Sequence, residues 1–344
     1  MPEILDIFND DAFSMVELGA SINVIPRTYG RLGELNLFPD RGIATTTVAI
    51  ELNNGVLNLL PTARRGSGGT AGVRGKRNMR VFSTVHIPHD SQLTADDLRN
   101  KRGADGQISL ATAQAEINKE LRAHRAKHDI TREHLRCGAL RGTVLDADGS
   151  TLLNIFTEFG VTEKVVDFTF GTAATDIRVV SMSISRHIEE NLLGDTYTGV
   201  RGLCSKDFFE KLIQMESVKR AWDNWQGSSD KLGNDPRKGF PFGGITWEEY
   251  IGKATTLNED GTTTTREFIP DGDARFFPEG THESFVMWNA PSDFMEDVGQ
   301  DGLPYYAKQA PDPRFNRFVD IHSQQNPLPL CMRPALLVRG HSSN

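Results

Sequence analysis

The sequence predicts an α+β fold that combines projecting parts with packed ones, and three observations predict it. An Asn-Gly dipeptide sits between two extended apolar runs in TTTVAIELNNGVLNLLP, residues 45 to 61. Residues 103 to 140 contain no proline, and no glycine between Gly106 and Gly138. Short strand-like runs and amphipathic helical stretches then alternate irregularly to the end of the chain. The first pattern reads as a hairpin, because both residues of the favoured two-residue turn need positive φ. The second reads as one helix longer than the usual 8 to 20 or so residues. The third gives mixed strands and helices without the regular βαβ alternation of a parallel sheet.

Composition is ordinary for a globular protein, at 38% apolar and 24% charged residues over 344 positions, a length that suggests about two domains. The net charge of -8 argues against a surface that grips nucleic acid everywhere and permits only local basic patches. The opening MPEILDIFNDD lacks the basic start and apolar run of a secretory signal, and no apolar stretch reaches about 18 residues. A soluble protein made in a cytoplasm, with no membrane partner, is the expectation. Cys137, Cys204 and Cys331 are far apart and never form a CxxC pair. They are expected to be small core fillers rather than a disulfide framework or zinc ligands.

Residues 1 to 40 scatter apolar side chains among turn formers, with Asn9, Asp10 and Asp11 able to cap a helix over roughly 11 to 20. That is too little to fold alone, so it is read as an arm lying along another surface. After the hairpin's second run, residues 63 to 80 are dominated by glycine and arginine. The GxxxxGK[ST] spacing of a phosphate loop fails there, since Thr70 stands five before Gly75 and Arg77 follows Lys76. The stretch is read as a basic, solvated loop tip. SQLTADDLRN, 91 to 100, carries the Ser/Thr-before-Asp pattern of a capped short helix. In the long helix the stripe Leu110, Ile117, Leu121, His124, His128, Leu135 predicts one narrow buried seam with charges elsewhere. His124 and His128 have a spacing that can hold a metal, but with no HExxH motif they are read as hydrogen-bonded seam residues.

VLDADGST, 144 to 151, offers the most tempting chemistry, two carboxylates bracketing one residue after an apolar run. Asp146 would be the nucleophile and Asp148 the acid of a phosphatase. A hairpin turn at Asp148-Gly149 between Thr143-Val144-Leu145 and Leu152 to Phe156 suits the flanks better. VTEKVVDFTFG alternates like a half-buried strand over 161 to 171. Residues 176 to 193 read as a helix through Ile177, Val180, Ile184, Ile188 and Leu192. Residues 199 to 226 read as a short strand, a Ser205 cap and one amphipathic helix exposing Lys206, Glu210, Lys211 and Lys219. Further strands are expected at 242 to 250, 268 to 270 and 284 to 288, with a Thr-rich hairpin at 255 to 266. The terminal HSQQNPLPLCMRPALLVRG, 322 to 340, reads as one stiff extended strand, because its prolines forbid a helix. No catalytic, cofactor-binding or metal-binding constellation is assigned.

FNDDAF (8 to 13), TTTVAIELNNGVLNLLP, the arginine-glycine and lysine-arginine pairs of the loop tip, HDITREHLRCGALRGTVLDADG (128 to 149), FMEDVGQDGLPYYAKQ (294 to 309) and NPLPLCMRPALLVRG (326 to 340) occur in that order. Through them the sequence resembles the major capsid protein E family of tailed bacteriophages, the lambda-like branch of the Hong Kong 97-like capsid fold. The resemblance implies an N-terminal arm at 1 to 44 and an extended β-hairpin loop at 45 to 90. It implies a peripheral domain at 91 to 174 with a spine helix at about 106 to 138, and an axial domain at 175 to 290. Residues 291 to 344 would return to the peripheral domain, with 327 to 339 as a closing strand of its sheet. The implied function is that of a major capsid protein, not an enzyme, forming pentamers and hexamers of itself in an icosahedral head. It would need no cofactor. Implied partners are scaffold and portal proteins, decoration proteins as an optional addition, and packaged double-stranded DNA held without sequence specificity. The implied location is the virion, after assembly in the bacterial host cytoplasm. No lysine-to-asparagine crosslink is carried over. A nanocompartment shell of the encapsulin kind and the phosphatase remain as alternatives at this stage.

Overall fold

The computed structural model describes residues 15–25, 30–52, 78–99, 110–172, 175–225, 235–257 and 261–343. The Asn54-Gly55 turn, the basic tip from 63 to 77 and the Asn9 to Asp11 cap lie outside the described residues.

The frame is α4, Leu110–Leu140, 31 residues and about 46 Å long at 1.5 Å per residue. It crosses two cores. Its first half buries Ala113, Ile117 and Leu121 with Leu18 and Ile22 of α1 (Met15–Val24). The same core takes Leu93, Val319 and Ile321 from the antiparallel sheet of β4 (Ile87–Thr94), β15 (Tyr306–Pro311) and β16 (Phe318–Gln325). Its second half buries Leu135, Cys137, Ala139 and Leu140 in a larger core. There it meets a three-stranded sheet of β1 (Asp40–Gly42), β14 (Phe285–Asn289) and β17 (Pro327–Cys331). The base of the ribbon β2 (Thr47–Leu52) and β3 (Asn78–Ser83) adds Val48, Ile50 and Phe82.

The third core underlies a six-stranded sheet in the order β7, β18, β13, β8, β10, β9. These strands are β7 (Lys164–Asp167), β8 (Gly199–Cys204), β9 (Phe240–Phe242), β10 (Ile245–Glu249), β13 (Asp273–Glu279) and β18 (Val338–His341). Helix α6 (Ile177–Asn191) covers it through Ile177, Ile184 and Ile188, the positions the 3.6-residue period picked out. Phe168, Phe208, Trp247 and Phe276 meet in the centre, with Phe168 and Phe208 edge to face at 5.1 Å. The edge strand β7 and its neighbour β18 enter from beyond residues 175 to 290.

Four readings of the sequence are corrected. The terminal segment is not one strand: it carries the end of β16 and then two separate strands, β17 and β18. Its 3-10 turn at Pro334–Leu336 redirects the chain, so that β17 joins the sheet beside α4 while β18 pairs with β13 and β7. Pro327 and Pro329 are tolerated because β17 is an edge strand whose ladder partner among the described residues is β14, with the Val85 amide also donating to the Pro327 carbonyl at 3.2 Å, a contact that asks no donor of proline. The helix after Ser205 is also two, α7 (Lys206–Gln214) and α8 (Glu216–Trp225). Extended Met215 breaks it and drops its own side chain into the core. Residues 268 to 270 form no strand, whereas Asp273–Glu279 does, and six of its seven residues are buried, so no alternation marked it. Ile155 and Phe156 open α5 (Ile155–Phe159), capped by Asn154, instead of prolonging β6 (Thr151–Asn154).

Other expectations match. The Ser205 hydroxyl caps α7 through the Phe208 amide, and Thr94 and Asp97 cap each other at the start of α3 (Ala95–Arg99). The Thr-rich hairpin pairs β11 (Lys253–Leu257) with β12 (Thr263–Glu267). The three cysteines are free and buried.

Candidate functional site

The tempting carboxylates stand in a turn. Asp146 and Asp148 lie on the exposed connection between β5 (Thr143–Leu145) and β6, where the Gly149 amide donates to the Asp146 carbonyl at 3.0 Å. The Asp146 carboxylate accepts the Ala147 amide and the Asp148 carboxylate the Ser150 amide, both at 2.7 Å. Hydrogen bonds from Ser150 hold Asp148 below the usual carboxylate range. Arg266 donates to the Asp148 carbonyl at 2.6 Å and pins the turn on β12. These are turn-forming contacts, and Gly149 supplies the positive φ that the turn needs.

The concentrated polar chemistry is inside, on α4. The expected narrow seam fails over its second half, where Arg125, Asp129, Arg132, Glu133 and Arg136 are buried along with His124 and His128. The reason is that α1 and the short helix α2 (Arg31–Glu34) wrap the face that would otherwise meet water. Each charge there must therefore find a partner within the protein. Arg125 donates to Asp129 at 3.0 Å and to the Ile22 carbonyl at 2.8 Å, and lies 3.7 Å from the Tyr305 ring centroid. Tyr305 donates its hydroxyl to Asp129 at 2.7 Å, and burial pushes its pKa up to about 12. Arg132, only 1% exposed, joins Asp40 of β1 to Asn289 of β14. A bundle of this kind fixes the spine against the arm side and the sheet side at once.

Glu133 is the second joint. Fully buried, it accepts the Leu32 amide at 2.6 Å, the Gly33 amide at 3.2 Å and the Tyr250 hydroxyl at 3.1 Å. Burial raises its pKa in spite of these donors and of Arg136 nearby. Gly30 has φ of 115°, and a Cβ there would stand 2.6 Å from a Glu133 carboxylate oxygen. Beside it, Arg31 donates to Glu248 of β10 at 2.5 and 3.1 Å. Glu248 accepts Arg201 at 2.5 Å, and Arg201 also holds Glu279. This chain of charges ties α2 to the six-stranded sheet.

The predicted histidine pair is structural. The Ser323 hydroxyl bridges His124 Nδ1 at 2.8 Å and His128 Nε2 at 2.9 Å, and Ser91 takes His124 Nε2 at 2.8 Å. His89 packs against His124 with its ring tilted by 55°, at 4.5 Å between ring centroids. Burial holds all three neutral, with His124 pushed down to about 4 and His128 to about 3. Among the described residues no group of three or more His, Cys, Asp or Glu could hold a metal ion. No helix among them is long and apolar enough to cross a membrane.

A family model described as phage major capsid protein E matches residues 14–342. The chain belongs to the phage major capsid protein E family. The major capsid protein of Pseudomonas phage KPP10 is 28% identical to it over 353 residues, covering 96% of this chain and 97% of that one. That of Salmonella phage Felix O1 is 25% identical, covering 95% of each. Among solved structures, the putative capsid protein of a prophage of E. coli CFT073 superposes with a TM-score of 0.59 at 13% identity, over 96% of this chain and 99% of that one. The α+β architecture is thus that of phage capsid proteins of the Hong Kong 97-like kind. A structural family of this kind is not one of enzymes, which removes the phosphatase reading of Asp146 and Asp148. Of the buried joints on α4, sequence reasoning found His124 and His128 through their spacing. It missed Arg125, Asp129, Arg132 and Glu133, since charges on a helix read as solvated unless the covering arm is known.

Proposed function

We propose that this chain is the major capsid protein of a tailed bacteriophage or prophage, assembling with copies of itself into the icosahedral head shell around packaged double-stranded DNA. The observation that carries the reading is the family match over residues 14–342, nearly the whole chain rather than one motif. The architecture supports it. Residues 1 to 44 would act as an arm, 45 to 90 as the extended loop, 91 to 174 and 291 to 344 as the peripheral domain, and 175 to 290 as the axial domain. The buried charge joints on α4 would hold a rigid body while arm and loop adapt to pentameric and hexameric surroundings. The rigid part is stitched together by β7 and β18, which enter the six-stranded sheet from both sides of the axial stretch. Scaffold, portal and decoration proteins would be partners during assembly in the host cytoplasm, and DNA would be contained without sequence reading, as a net charge of -8 suits.

Sedimentation of the purified chain, before and after assembly conditions, tests the reading. Capsomers or mega-dalton particles are expected. A protein that stays monomeric or dimeric under all conditions, including in infected or induced cells, would overturn it.

A further inference from the structure

We propose that the layer of His89, His124 and His128 is a cooperative proton switch that, on acidification, frees the sheet of β4, β16 and β15 from α4 as one unit. The inference goes beyond the shell reading and does not depend on it. The layer divides two apolar cores. On α4 it falls between Leu121 of one core and Leu135 of the other. On β16 the inward row passes from Val319 and Ile321 to Ser323 and Gln325, all buried. Gln325 donates to the His128 carbonyl at 3.2 Å, while its own Oε1 is buried with no partner among the described residues. A polar seam of this kind is where one part of a chain can open without the rest. Four of the chain's nine histidines, His89, His124, His128 and His322, meet in it, which concentrates there the groups that gain charge between pH 7 and 5.

The hydrogen bonds close only while the rings are neutral. Ser323 has one proton, which the His89 carbonyl accepts at 3.3 Å. Its lone pairs then accept N–H from His124 Nδ1 at 2.8 Å and from His128 Nε2 at 2.9 Å. That leaves His124 Nε2 to accept the Ser91 hydroxyl at 2.8 Å, and His89 Nε2 accepts the Lys127 ammonium at 2.9 Å. A proton added to His124 or His89 would put an N–H where a donor already points. His89 lies 4.5 Å from His124 and 6.4 Å from His128 between ring centroids, so one charge also repels the next. Burial holds the rings neutral, helped by Lys127, Arg125 and Arg132 of α4 and by His322 of β16. Asp90 and Glu120 act the other way, but Asp90 is bonded to His322. Asp129 is taken by Arg125 and Tyr305. The closed layer therefore refuses protons, and opening lets the three rings take them together.

Hydrogen exchange of the full, unassembled chain at pH 7, 6 and 5, corrected for the intrinsic rate, tests this. Each proton taken up on opening makes opening about tenfold more frequent per pH unit. With two to three protons, the amides of β4 and β16 should open about 100-fold or more often at pH 5 than at pH 6. At pH 5 they should also open at least about tenfold more often than the amides of β8 and β13, as a separate unit does. His89→Gln, which keeps an acceptor for Lys127, should remove one proton and cut the rise per pH unit about tenfold. Lost packing alone would not change that slope. A wild-type rise of about tenfold or less, equal opening of the two sheets, or an unchanged slope in His89→Gln would each overturn the proposal. If the variant does not fold, the wild-type slope and the comparison of the two sheets still decide it.

Discussion

Acidification should loosen the joint between α4 and the β4–β16 pair, and the size of the effect follows from the two buried histidines. His124 and His128 are 1% and 2% exposed and share Ser323. Both are bases whose folded-state pKa is depressed, to about 4 and about 3. In the unfolded chain each takes up a proton near pH 6.5. Their contribution is therefore complete above about pH 6.5 and is lost as pH falls toward the folded values, because only the unfolded state gains protons in that window. At pH 5 each histidine costs about 2 kcal/mol relative to pH 8, so the pair costs about 4 kcal/mol, a large part of a typical stability of about 5–15 kcal/mol. Burial is the main cause of the depression, and the neighbours His89, Lys127, Arg125 and Arg132 contribute to it by disfavouring a further positive charge there. Glu133, whose pKa burial raises, works in the opposite sense. The assay is denaturant unfolding of the unassembled subunit between pH 8 and 5, for wild type and for His124→Gln with His128→Gln. The double variant should be less stable at pH 8 yet lose about 4 kcal/mol less on acidification. Equal pH slopes would refute the argument.

Other outcomes follow from the same contacts. Deleting residues 327–344 removes β17 and β18 with Leu328, Leu330, Leu336, Leu337 and Val338, each 3% exposed or less. At about 1.5–3 kcal/mol each the loss rivals total stability, so the truncation should be insoluble, and a soluble product with a cooperative melt would contradict the packing. Gly30→Ala should cost about 1–3 kcal/mol or more by combining positive φ with a clash at Glu133. Gly272→Ala, where φ is 77° but no atom lies within 4 Å, should cost less in the same thermal melt, and equal costs would dismiss the Glu133 clash. Asp146→Asn should change subunit stability by less than about 0.5 kcal/mol and leave particle yield intact, since Asn suits such turns as well.

What the sequence made legible depended on whether local pattern and tertiary surroundings agreed. The 31 residues of α4 had no competing signal, and α6 placed Ile177, Ile184 and Ile188 where its period said. The turn at Asp148-Gly149 showed in its own residues, because its chemistry is local. β13 was invisible, since a strand flanked by β8 and β18 and buried on both sides loses alternation. The charge joints were invisible for a related reason. Arg132 and Glu133 meet Asp40, Asn289, Leu32 and Tyr250, all of them about 90 or more residues away in the chain, and no spacing within α4 announces them. Pro327 and Pro329 pointed correctly to extended backbone, but the turn after Arg333 that sends β18 to another sheet depends on partners that only the folded chain supplies.

Direct imaging of particles formed by the expressed chain tests the central claim most closely. Closed icosahedral shells are expected, in which copies of this chain cluster around five-fold and six-fold positions, with α4 and the six-stranded sheet the same in every copy. Open or amorphous aggregates, or discrete small oligomers without five-fold and six-fold clusters, would contradict it.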